Sequence, residues 1–394
     1  MTASKSPVSR FATTPPLGLY VHIPWCVRKC PYCDFNSHAT QGDIPEAGYV
    51  DALLTDLESQ LPAIWGRTVE SVFIGGGTPS LFSAPALERL LTGVRSRLRM
   101  RPDAEITLEA NPGTAEAARF ADYRAAGVNR LSIGVQSLDD AGLRALGRIH
   151  DANAALAAVA MAQQAGFENI NLDMMFGLPQ QSCHEALSDL ARLLDLEPAH
   201  ISYYQLTLEP NTAFHHRPPP LPQDDDLAAM QEQGAALLAR AGYRQYEVSA
   251  YAKDNRRCRH NLNYWKFGDY LGIGAGAHGK LTDAAGNRVV RRHNRRHPND
   301  YLRDPAVPAG EKVLSAQDLR FEFMLNGLRL VEGIDRALFS ERTGLSEDWL
   351  LEPLRRARSA GLLDDDETTI RPSELGRRFL NDLMAMFLPE EDCP

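Results

Sequence analysis

The repetition of short apolar segments, each followed by a helical segment, is the sequence feature that most constrains the fold. Segments with helical periodicity separate the apolar runs, most clearly at 139–165 and 224–241. The runs are rich in β-branched residues and begin at Leu17, Ser71, Ile106, Leu131, Ile170 and Ile201. Six β-then-α units in a row predict a parallel sheet with right-handed crossovers. Spacing alone leaves two forms of α/β fold open, a doubly wound sheet and a barrel related to the TIM fold.

The βα rhythm stops near Tyr246, and the rest of the chain has a different character. EVSAYA, at 247–252, is interpreted as one further strand, and a segment rich in Asn, Arg, His, Tyr and Gly follows it. From about Ser315 the pattern is helical, and TTI, at 368–370, predicts a short strand or wing before a last helix. We therefore expect a flexible amino terminus (1–10), a core barrel (11–246), a linker (247–310) and a winged-helix-like, α-rich domain (311–394).

Charge argues against nucleic acid as a partner. The chain has 42 basic and 51 acidic residues, for a net charge of −9, so it has no overall attraction for phosphate or anionic lipid. The winged-helix-like segment itself holds 11 basic and 18 acidic residues, which predicts a packing or partner domain instead of a DNA-binding one.

The location of the protein is predicted from what the sequence lacks. No stretch approaches the ~18 continuous apolar residues of a membrane span, and the polar first residues lack the apolar core of a signal peptide. We expect a cytoplasmic protein, with a transit peptide as the minor alternative.

Three of the six cysteines crowd into eight residues directly after the first apolar run, at Cys26, Cys30 and Cys33. The others stand alone and are interpreted as inert: Cys183, Cys258 and Cys393. Three thiolates can hold three corners of an iron–sulfur cubane. Zinc would need a fourth ligand, for which His22 and His38 are the near candidates, and the spacing fits no common zinc motif. A coincidental cluster of buried thiols is the remaining alternative.

Other polar or glycine residues follow the predicted strands at the same edge of the sheet. Gly75-Gly76-Gly77-Thr78 comes after the second strand, where glycines let backbone N–H groups approach a charged ligand. Glu109, Gln136 and Asp173 close the next three strands. Any one of them alone would be a turn or cap residue, but their repeated placement predicts a ligand site where α/β folds bind ligands.

With Tyr32 before its third cysteine, the C-x3-C-x2-C motif resembles the signature of the radical SAM superfamily. The resemblance implies a partial (β/α)6 TIM-like barrel and a 4Fe-4S cluster whose open iron chelates S-adenosylmethionine (SAM). It implies that a donor such as flavodoxin or ferredoxin reduces the cluster. An electron from the reduced cluster then cleaves SAM and yields a deoxyadenosyl radical. The residues expected to contact this cofactor are Tyr20, Tyr32, Gly76, Gly77, Thr78, Glu109, Gln136, Arg148, Asp173 and His278.

The resemblance extends over almost the whole chain, through GGGTPS, EANPG, GVQS, GLPQQ and GIGAGAHG, to the branch of oxygen-independent coproporphyrinogen oxidases. Two features favour the heme chaperones of that branch over its dehydrogenases. Phe35 occupies a position where dehydrogenases carry a fourth cysteine, and only about 25 residues precede the cluster motif. The second feature is a match to the chaperone motif H-N-x-x-Y-W, formed by His260, Asn261, Tyr264 and Trp265.

The motif implies a heme site, because imidazole is an axial iron ligand and aromatic rings offer flat faces to a porphyrin. Packing against the barrel is the alternative role for these side chains, and the axial ligand could be another histidine, such as His278 or one in the segment 293–297. Two other patterns have plainer interpretations. GAGAHG at 274–279 lacks the βαβ context of a nucleotide site. The arginine-rich segment 291–297 is interpreted as a solvated loop, with propionate or partner binding as the alternative.

The expected function is that of a heme chaperone, which binds heme and passes it to an unidentified acceptor protein, a membrane-associated acceptor included. The alternative is an oxygen-independent coproporphyrinogen III dehydrogenase, and a third reading is radical modification of a protein or an RNA. The sequence leaves open whether the protein is an enzyme, whether SAM is cleaved productively, and the oligomeric state.

Overall fold

The computed structural model describes residue 11 and residues 13–40, 42–113, 117–253 and 255–388. The predicted flexible segment 1–10 and the predicted inert Cys393 lie outside these residues. In the described part of the chain, no helix combines the length and the apolar character required to cross a membrane.

The strands fall into two groups along the chain. Those before residue 206 include the barrel strands, and those after it extend the sheet or form the small carboxyl-terminal sheet. They are β1 (Leu17–Ile23), β2 (Trp25–Cys26), β3 (His38–Ala39), β4 (Thr68–Gly76), β5 (Arg99–Ala110), β6 (Arg130–Gln136), β7 (Ile170–Phe176), β8 (His200–Gln205), β9 (Arg244–Glu247), β10 (Ala250–Ala252), β11 (Asp269–Ile273), β12 (His278–Asp283), β13 (Arg288–His293), β14 (Gly310–Val313), β15 (Ile334–Asp335) and β16 (Thr369–Ile370).

Helices alternate with the strands of the first stretch and dominate the carboxyl-terminal part of the chain. They are α1 (Glu46–Gln60), α2 (Ala84–Arg97), α3 (Phe120–Ala126), α4 (Asp140–Ala145), α5 (Ala152–Gln164), α6 (Cys183–Leu194), α7 (Ala213–His216), α8 (Asp224–Arg240), α9 (Arg259–Trp265), α10 (Pro298–Arg303), α11 (Ala316–Gly327), α12 (Ala337–Thr343), α13 (Asp348–Ser359), α14 (Glu374–Arg378) and α15 (Leu380–Ala385). Short 3₁₀ turns cover Leu61–Ile64 and Pro79–Leu81.

The predicted parallel barrel is confirmed. The strands β1, β4, β5, β6, β7 and β8 pair in chain order, and every pair is parallel. The side chains on one face of these strands form a continuous apolar core with the crossover helices, whereas the other face carries polar side chains such as Ser132 and Asp173. Polar caps begin several of these helices. At α6, for example, Ser182 and Glu185 form a capping box that satisfies the first backbone N–H groups. Because the strands are parallel, their carboxyl ends meet at one edge.

Beyond the barrel, the structure differs from the expectation in detail. EVSAYA is not one strand: β9 ends at Glu247, a turn at Val248–Ser249 follows, and β10 returns antiparallel to β9 and to β8. The side chain of Glu247 accepts hydrogen bonds from the N–H and hydroxyl of Ser249, which stabilises this tight turn.

The segment predicted as a linker continues the sheet at its opposite end. Strand β11 pairs parallel with β1, and β12, β13 and β14 follow as an antiparallel meander. Apolar side chains of this segment, Phe267 and Val289, pack into the same core as Phe323 and Phe339 of the carboxyl-terminal helices. The boundary between linker and tail is thus crossed by a shared apolar core.

The carboxyl-terminal part is helical with a small two-stranded sheet, β15 with β16, as the winged-helix pattern predicted. The expected single last helix is divided in two, because Phe379 between α14 and α15 leaves helical geometry at φ −111° and ψ 44°.

Candidate functional site

The cysteine loop leaves β1 and is folded back on itself at the carboxyl edge of the barrel. Strand β2, which contains Cys26, pairs with β3, so the loop between them is closed. The Lys29 ammonium donates to the carbonyl oxygens of Phe35 (3.1 Å) and Ser37 (3.3 Å) and closes the loop further. The closure keeps the three thiols on one short, ordered segment.

Each of the three sulfur atoms has a polar neighbour from a different place in the chain. The Thr78 hydroxyl donates to Cys26 Sγ at 3.5 Å, and Arg148 Nη1 donates to Cys30 Sγ at 3.6 Å. The Ser37 hydroxyl lies 3.8 Å from Cys33 Sγ. Hydrogen-bond donors around cysteine sulfur suit the negative charge of a thiolate-bound iron–sulfur cluster.

The donor set therefore fits a cluster held by Cys26, Cys30 and Cys33, and it does not favour zinc. Among the described residues, no three His, Cys, Asp or Glu side chains converge as they would around a single metal ion. A cubane cluster has no such requirement, because each thiolate binds a different iron atom.

The glycine segment after β4 fits tightly against the start of the cysteine loop. Gly77 N–H donates to the Ile23 carbonyl at 2.8 Å, and Thr78 N–H donates to the Trp25 carbonyl at 2.7 Å. A Cβ on Gly77 would lie 2.5 Å from the Trp25 carbonyl oxygen, and Gly76 has a φ of +118°. Both positions thus require glycine, one for close backbone approach and one for its backbone conformation.

A chain of side-chain hydrogen bonds joins the glycine segment to the cluster cysteines. Asn111 Nδ2 donates to the Thr78 hydroxyl at 2.8 Å, and Arg148 Nη2 donates to Asn111 Oδ1 at 2.7 Å. The same guanidinium nitrogen also donates to the Gly134 carbonyl at 3.0 Å. Asn111 thus positions both the hydroxyl that meets Cys26 and the guanidinium that meets Cys30.

Two carboxyl groups face the interior of the barrel. The backbone N–H of Gly76 donates to Glu109 Oε2 at 3.0 Å, yet burial, together with the neighbouring charge of Asp173, raises the pKa of Glu109 to about 7. Burial also raises the pKa of Asp173, against the effect of a 2.8 Å hydrogen bond from Asn171. Such perturbed carboxyls are typical of ligand sites.

A cavity of about 350 Å³ brings most of the predicted cofactor residues together at the carboxyl edge of the strands. It is lined by Cys26, Cys30, Tyr32, Cys33, Gly76, Gly77, Thr78, Glu109, Gln136, Arg148, Asp173 and Asn261. Sequence reasoning missed further lining residues, namely Asn111, Arg130, Ser132, Asn171, His200, Ser202 and Tyr204. For Ser202 and Tyr204 a signal existed, since they occupy alternate positions of one strand and so share a face.

A second cavity, of about 570 Å³, adjoins the first and shares Phe35, Gly76 and Glu109 with it. Two predicted cofactor residues, Tyr20 and His278, lie here and not in the cluster cavity. The remaining lining residues are mainly aromatic or basic: His22, Asn36, Tyr264, Tyr270, Gly276, His293 and Arg296.

The residues of the H-N-x-x-Y-W motif do not share one cavity. Asn261 lines the cluster cavity, and Tyr264 lines the second cavity. Trp265 borders neither; it lines a smaller cavity of about 210 Å³ and lies under the Arg329 guanidinium, 4.3 Å from the ring centre. The motif is thus partly a packing element, the alternative that the sequence left open.

His260 is held inside the protein with both ring nitrogens engaged. Its Nδ1 lies 2.9 Å from the Ser71 hydroxyl, and its Nε2 lies 2.9 Å from the Tyr264 hydroxyl. Its exposed fraction is 1%, and its ring stacks on Phe73 with centroids 5.3 Å apart. Burial, together with the charge of Arg130, lowers the pKa of His260 to about 3, so the ring is neutral. Both ring nitrogens of His260 are thus occupied by neighbouring hydroxyl groups, and the axial role expected for His260 stays a prediction.

Comparison with known proteins identifies the family. Residues 20–193 match the family described as the Radical SAM superfamily, and residues 314–379 match the HemN C-terminal domain. The heme chaperone HemW of Escherichia coli K12 is 52% identical over 376 residues, covering 95% of this chain and 99% of its own. The heme chaperone HemW of Haemophilus influenzae is 50% identical over 381 residues, covering 96% and 99%.

The chain belongs to the HemW family of radical SAM proteins. A solved structure described as the coproporphyrinogen III oxidase HemN of Escherichia coli superposes with a TM-score of 0.80 at 24% identity, covering 95% of this chain and 90% of that one. This likeness shows that the chain shares the fold of HemN over almost its whole length.

In this HemW-family chain, Phe35 lies where the two cavities meet. The side chain is 59% exposed and lines both of them. By contrast, neither Cys183 nor Cys258 lines either cavity, and the buried Cys258 thiol donates to Glu105 at 3.6 Å. The three clustered cysteines are thus separated from Cys183 and Cys258.

Proposed function

We propose that this protein is a heme chaperone: it holds a SAM-chelating 4Fe-4S cluster through Cys26, Cys30 and Cys33, binds one heme, and passes that heme to an acceptor protein. The observation that carries the proposal is the pair of adjoining cavities, one with the cysteines and one with aromatic and basic side chains. Its family membership supports the same conclusion, since its similar relatives are named heme chaperones.

The second cavity has the chemistry that a heme needs. Its volume of about 570 Å³ lies within the usual range for ligand pockets. Tyr20, Tyr264 and Tyr270 provide aromatic area against a macrocycle, which contributes by burial and by ring contacts. The exposed Arg296 at the same cavity supplies a guanidinium for a propionate group.

The cluster cavity has the chemistry that the cofactor needs. When bound, the cluster with SAM supplies one-electron chemistry. Toward it, Thr78, Ser37 and Arg148 provide hydrogen bonds at the cysteine sulfurs, while the Gly76–Gly77 backbone and Glu109 provide the wall that SAM would contact. An electron donor such as flavodoxin or ferredoxin belongs to this proposal, as does the acceptor protein.

The alternative is oxidation of coproporphyrinogen III, which the fold shared with HemN brings into consideration. Phe35 argues against it, because dehydrogenases of the branch carry a cysteine there. We therefore propose a stoichiometric carrier of heme and no turnover of porphyrinogen.

One anaerobic experiment distinguishes the two functions. The protein with reconstituted cluster is titrated with heme, and a second portion receives coproporphyrinogen III, SAM and a reductant. We expect about one heme per chain and no vinyl product over repeated turnovers. Failure to bind heme would remove the chaperone function, whereas accumulation of protoporphyrinogen would establish the dehydrogenase.

A pair of variants shows whether the second cavity is the heme site. Tyr264→Ala removes a ring from its wall and should weaken heme binding while the iron and sulfide content stays unchanged. Trp65→Ala is the matched control, because Trp65 is an aromatic residue that is 88% exposed and borders neither cavity. Equal affinity in both variants would place the heme elsewhere.

A further inference from the structure

Two histidines stand side by side on the wall of the second cavity. His278 of β12 and His293 of β13 are register partners across the antiparallel pair. Their rings stack with centroids 5.5 Å apart and an interplanar angle of 23°. Both side chains are exposed and both line the cavity of about 570 Å³.

The hydrogen bonding of the ring nitrogens distinguishes these two histidines from His22 and His260. His22 also lines the cavity, but its Nδ1 lies 2.9 Å from the Tyr20 hydroxyl and its Nε2 lies 2.8 Å from the Asn36 carbonyl oxygen. His260 uses both nitrogens in the same way and lines neither cavity. Within the described residues, neither His278 nor His293 makes a side-chain hydrogen bond, so their ring nitrogens are free to bind iron.

The positions of the two rings distinguish their roles. Strand β12 lies between β11 and β13 and is therefore nearer to the barrel strand β1 and the cysteine loop. His293 lies on the far side of the pair, where a Cβ on Gly310 of β14 would come within 2.5 Å of its ring. His293 is thus packed between the β14 backbone and the His278 ring. Two stacked rings cannot bind one iron from opposite faces of a porphyrin.

We propose that His278 is the axial ligand of the bound heme and that His293 is a positioning residue, which supports the His278 ring by stacking. The assignment rests on the proposed function, since it places the heme that the chaperone carries. It puts the macrocycle over the aromatic wall of Tyr20, Tyr264 and Tyr270, with Arg296 at the same cavity for a propionate. It also leaves His260 in a structural role beneath Tyr264.

The test uses the full chain with its cluster and one equivalent of ferric heme. Electron paramagnetic resonance (EPR) reports the axial ligand of ferric heme, and the oxidised 4Fe-4S cluster is silent in this measurement. In His278→Ala we expect loss of the histidine-ligated spectrum, its recovery on addition of free imidazole, and a rise in Kd of at least about tenfold, since even an outer-shell partner is worth that much at a metal site.

The companion variants make the assignment specific. His293→Ala should retain the ligand signal with a smaller rise in Kd, and His278→Gln should reproduce His278→Ala without shortening the side chain. His184→Ala is the control, because His184 is an exposed histidine of α6 that borders neither cavity. Before heme is added, the iron and sulfide content and the Tm should match those of wild type in all of them.

The outcomes separate the assignment from the function on which it rests. A wild-type protein that binds no heme would end the chaperone proposal itself. If wild type binds heme and His278→Ala keeps its spectrum and Kd, the chaperone function stands and His278 is not the ligand. Loss of the signal in His260→Ala or His293→Ala, with retention in His278→Ala, would likewise overturn the assignment.

Discussion

Replacement of Gly77 by Ala is predicted to disrupt the cluster site through Trp25, the residue that precedes Cys26 in the chain. The new Cβ would lie 2.5 Å from the Trp25 carbonyl oxygen, 2.8 Å from the Trp25 carbonyl carbon and 2.9 Å from the Pro24 carbonyl carbon. All three are backbone atoms, so no side chain can rotate away. The segment that must move carries Cys26 next in the chain and accepts the 2.7 Å hydrogen bond from Thr78 N–H.

The expected cost follows from the overlap. Overpacking of this kind costs about 1 to 3 kcal/mol, which lowers the Tm by a few degrees in a protein of this size. Displacement of Trp25 also moves Cys26 away from the Thr78 hydroxyl, 3.5 Å from its sulfur. We therefore expect Gly77→Ala to hold less iron and sulfide after anaerobic reconstitution, measured by chemical analysis and cluster absorbance alongside thermal unfolding.

Gly48→Ala is the matched control. Gly48 lies in α1, and a Cβ there would meet no atom within 4 Å, so alanine should be neutral or should stabilise the helix by up to about 1 kcal/mol. Its cluster content should equal that of wild type. A Gly77→Ala protein with full cluster content and unchanged Tm would refute the argument that backbone contact positions the cysteine loop.

Three further predictions concern the cysteines, Arg148 and His260. Alanine at any one of the three clustered cysteines should abolish the 4Fe-4S cluster on iron analysis, whereas Cys258→Ala should retain it. Arg148→Met removes a positive charge and the donor at Cys30 Sγ, so the cluster should be harder to reduce; a redox titration followed by EPR should show a more negative potential, and an unchanged one would contradict the contact. His260 has its pKa lowered from 6.5 to about 3, so the unfolded chain binds a proton that the folded one does not, and this part of the stability is lost as pH falls below 6.5. Between pH 6 and pH 4, the free energy of unfolding of His260→Phe, measured with urea, should fall by about 1.4 kcal/mol per pH unit less than that of wild type. If the two proteins lost stability with pH in parallel, the His260 ring would take up its proton in the folded state as it does in the unfolded chain.

Local sequence patterns were sufficient to predict the barrel strands. The β-branched run at Leu131, for instance, appears as β6 (Arg130–Gln136), which is buried along its whole length. Leu131, Ile133 and Val135 pack into the apolar core, and the alternate side chains Ser132 and Gln136 line the cluster cavity. The β9–β10 hairpin was missed because its turn, Val248–Ser249, carries no Gly, Pro or Asn-Gly signal. The parallel pairing of β11 with β1 was also missed, since residues about 250 positions apart in the chain leave no periodic signal.

The sequence by itself was sufficient to predict that the three clustered cysteines, the glycine segment and the polar residues that end the barrel strands lie at one edge of the sheet. The cysteines share one loop, and the strands share one direction. Only the tertiary structure decided which side chains have free atoms toward which cavity. By residue type alone, His260 and His278 are equally plausible iron ligands, and the H-N-x-x-Y-W motif favoured His260. In the fold, Ser71 and Tyr264 occupy both nitrogens of His260. Strand β12 presents His278 to the second cavity, and among the residues that the structure describes its ring nitrogens have no hydrogen-bond partner. A side chain's hydrogen-bond partners come from elements far apart in the chain, so its availability for chemistry is a property of the fold.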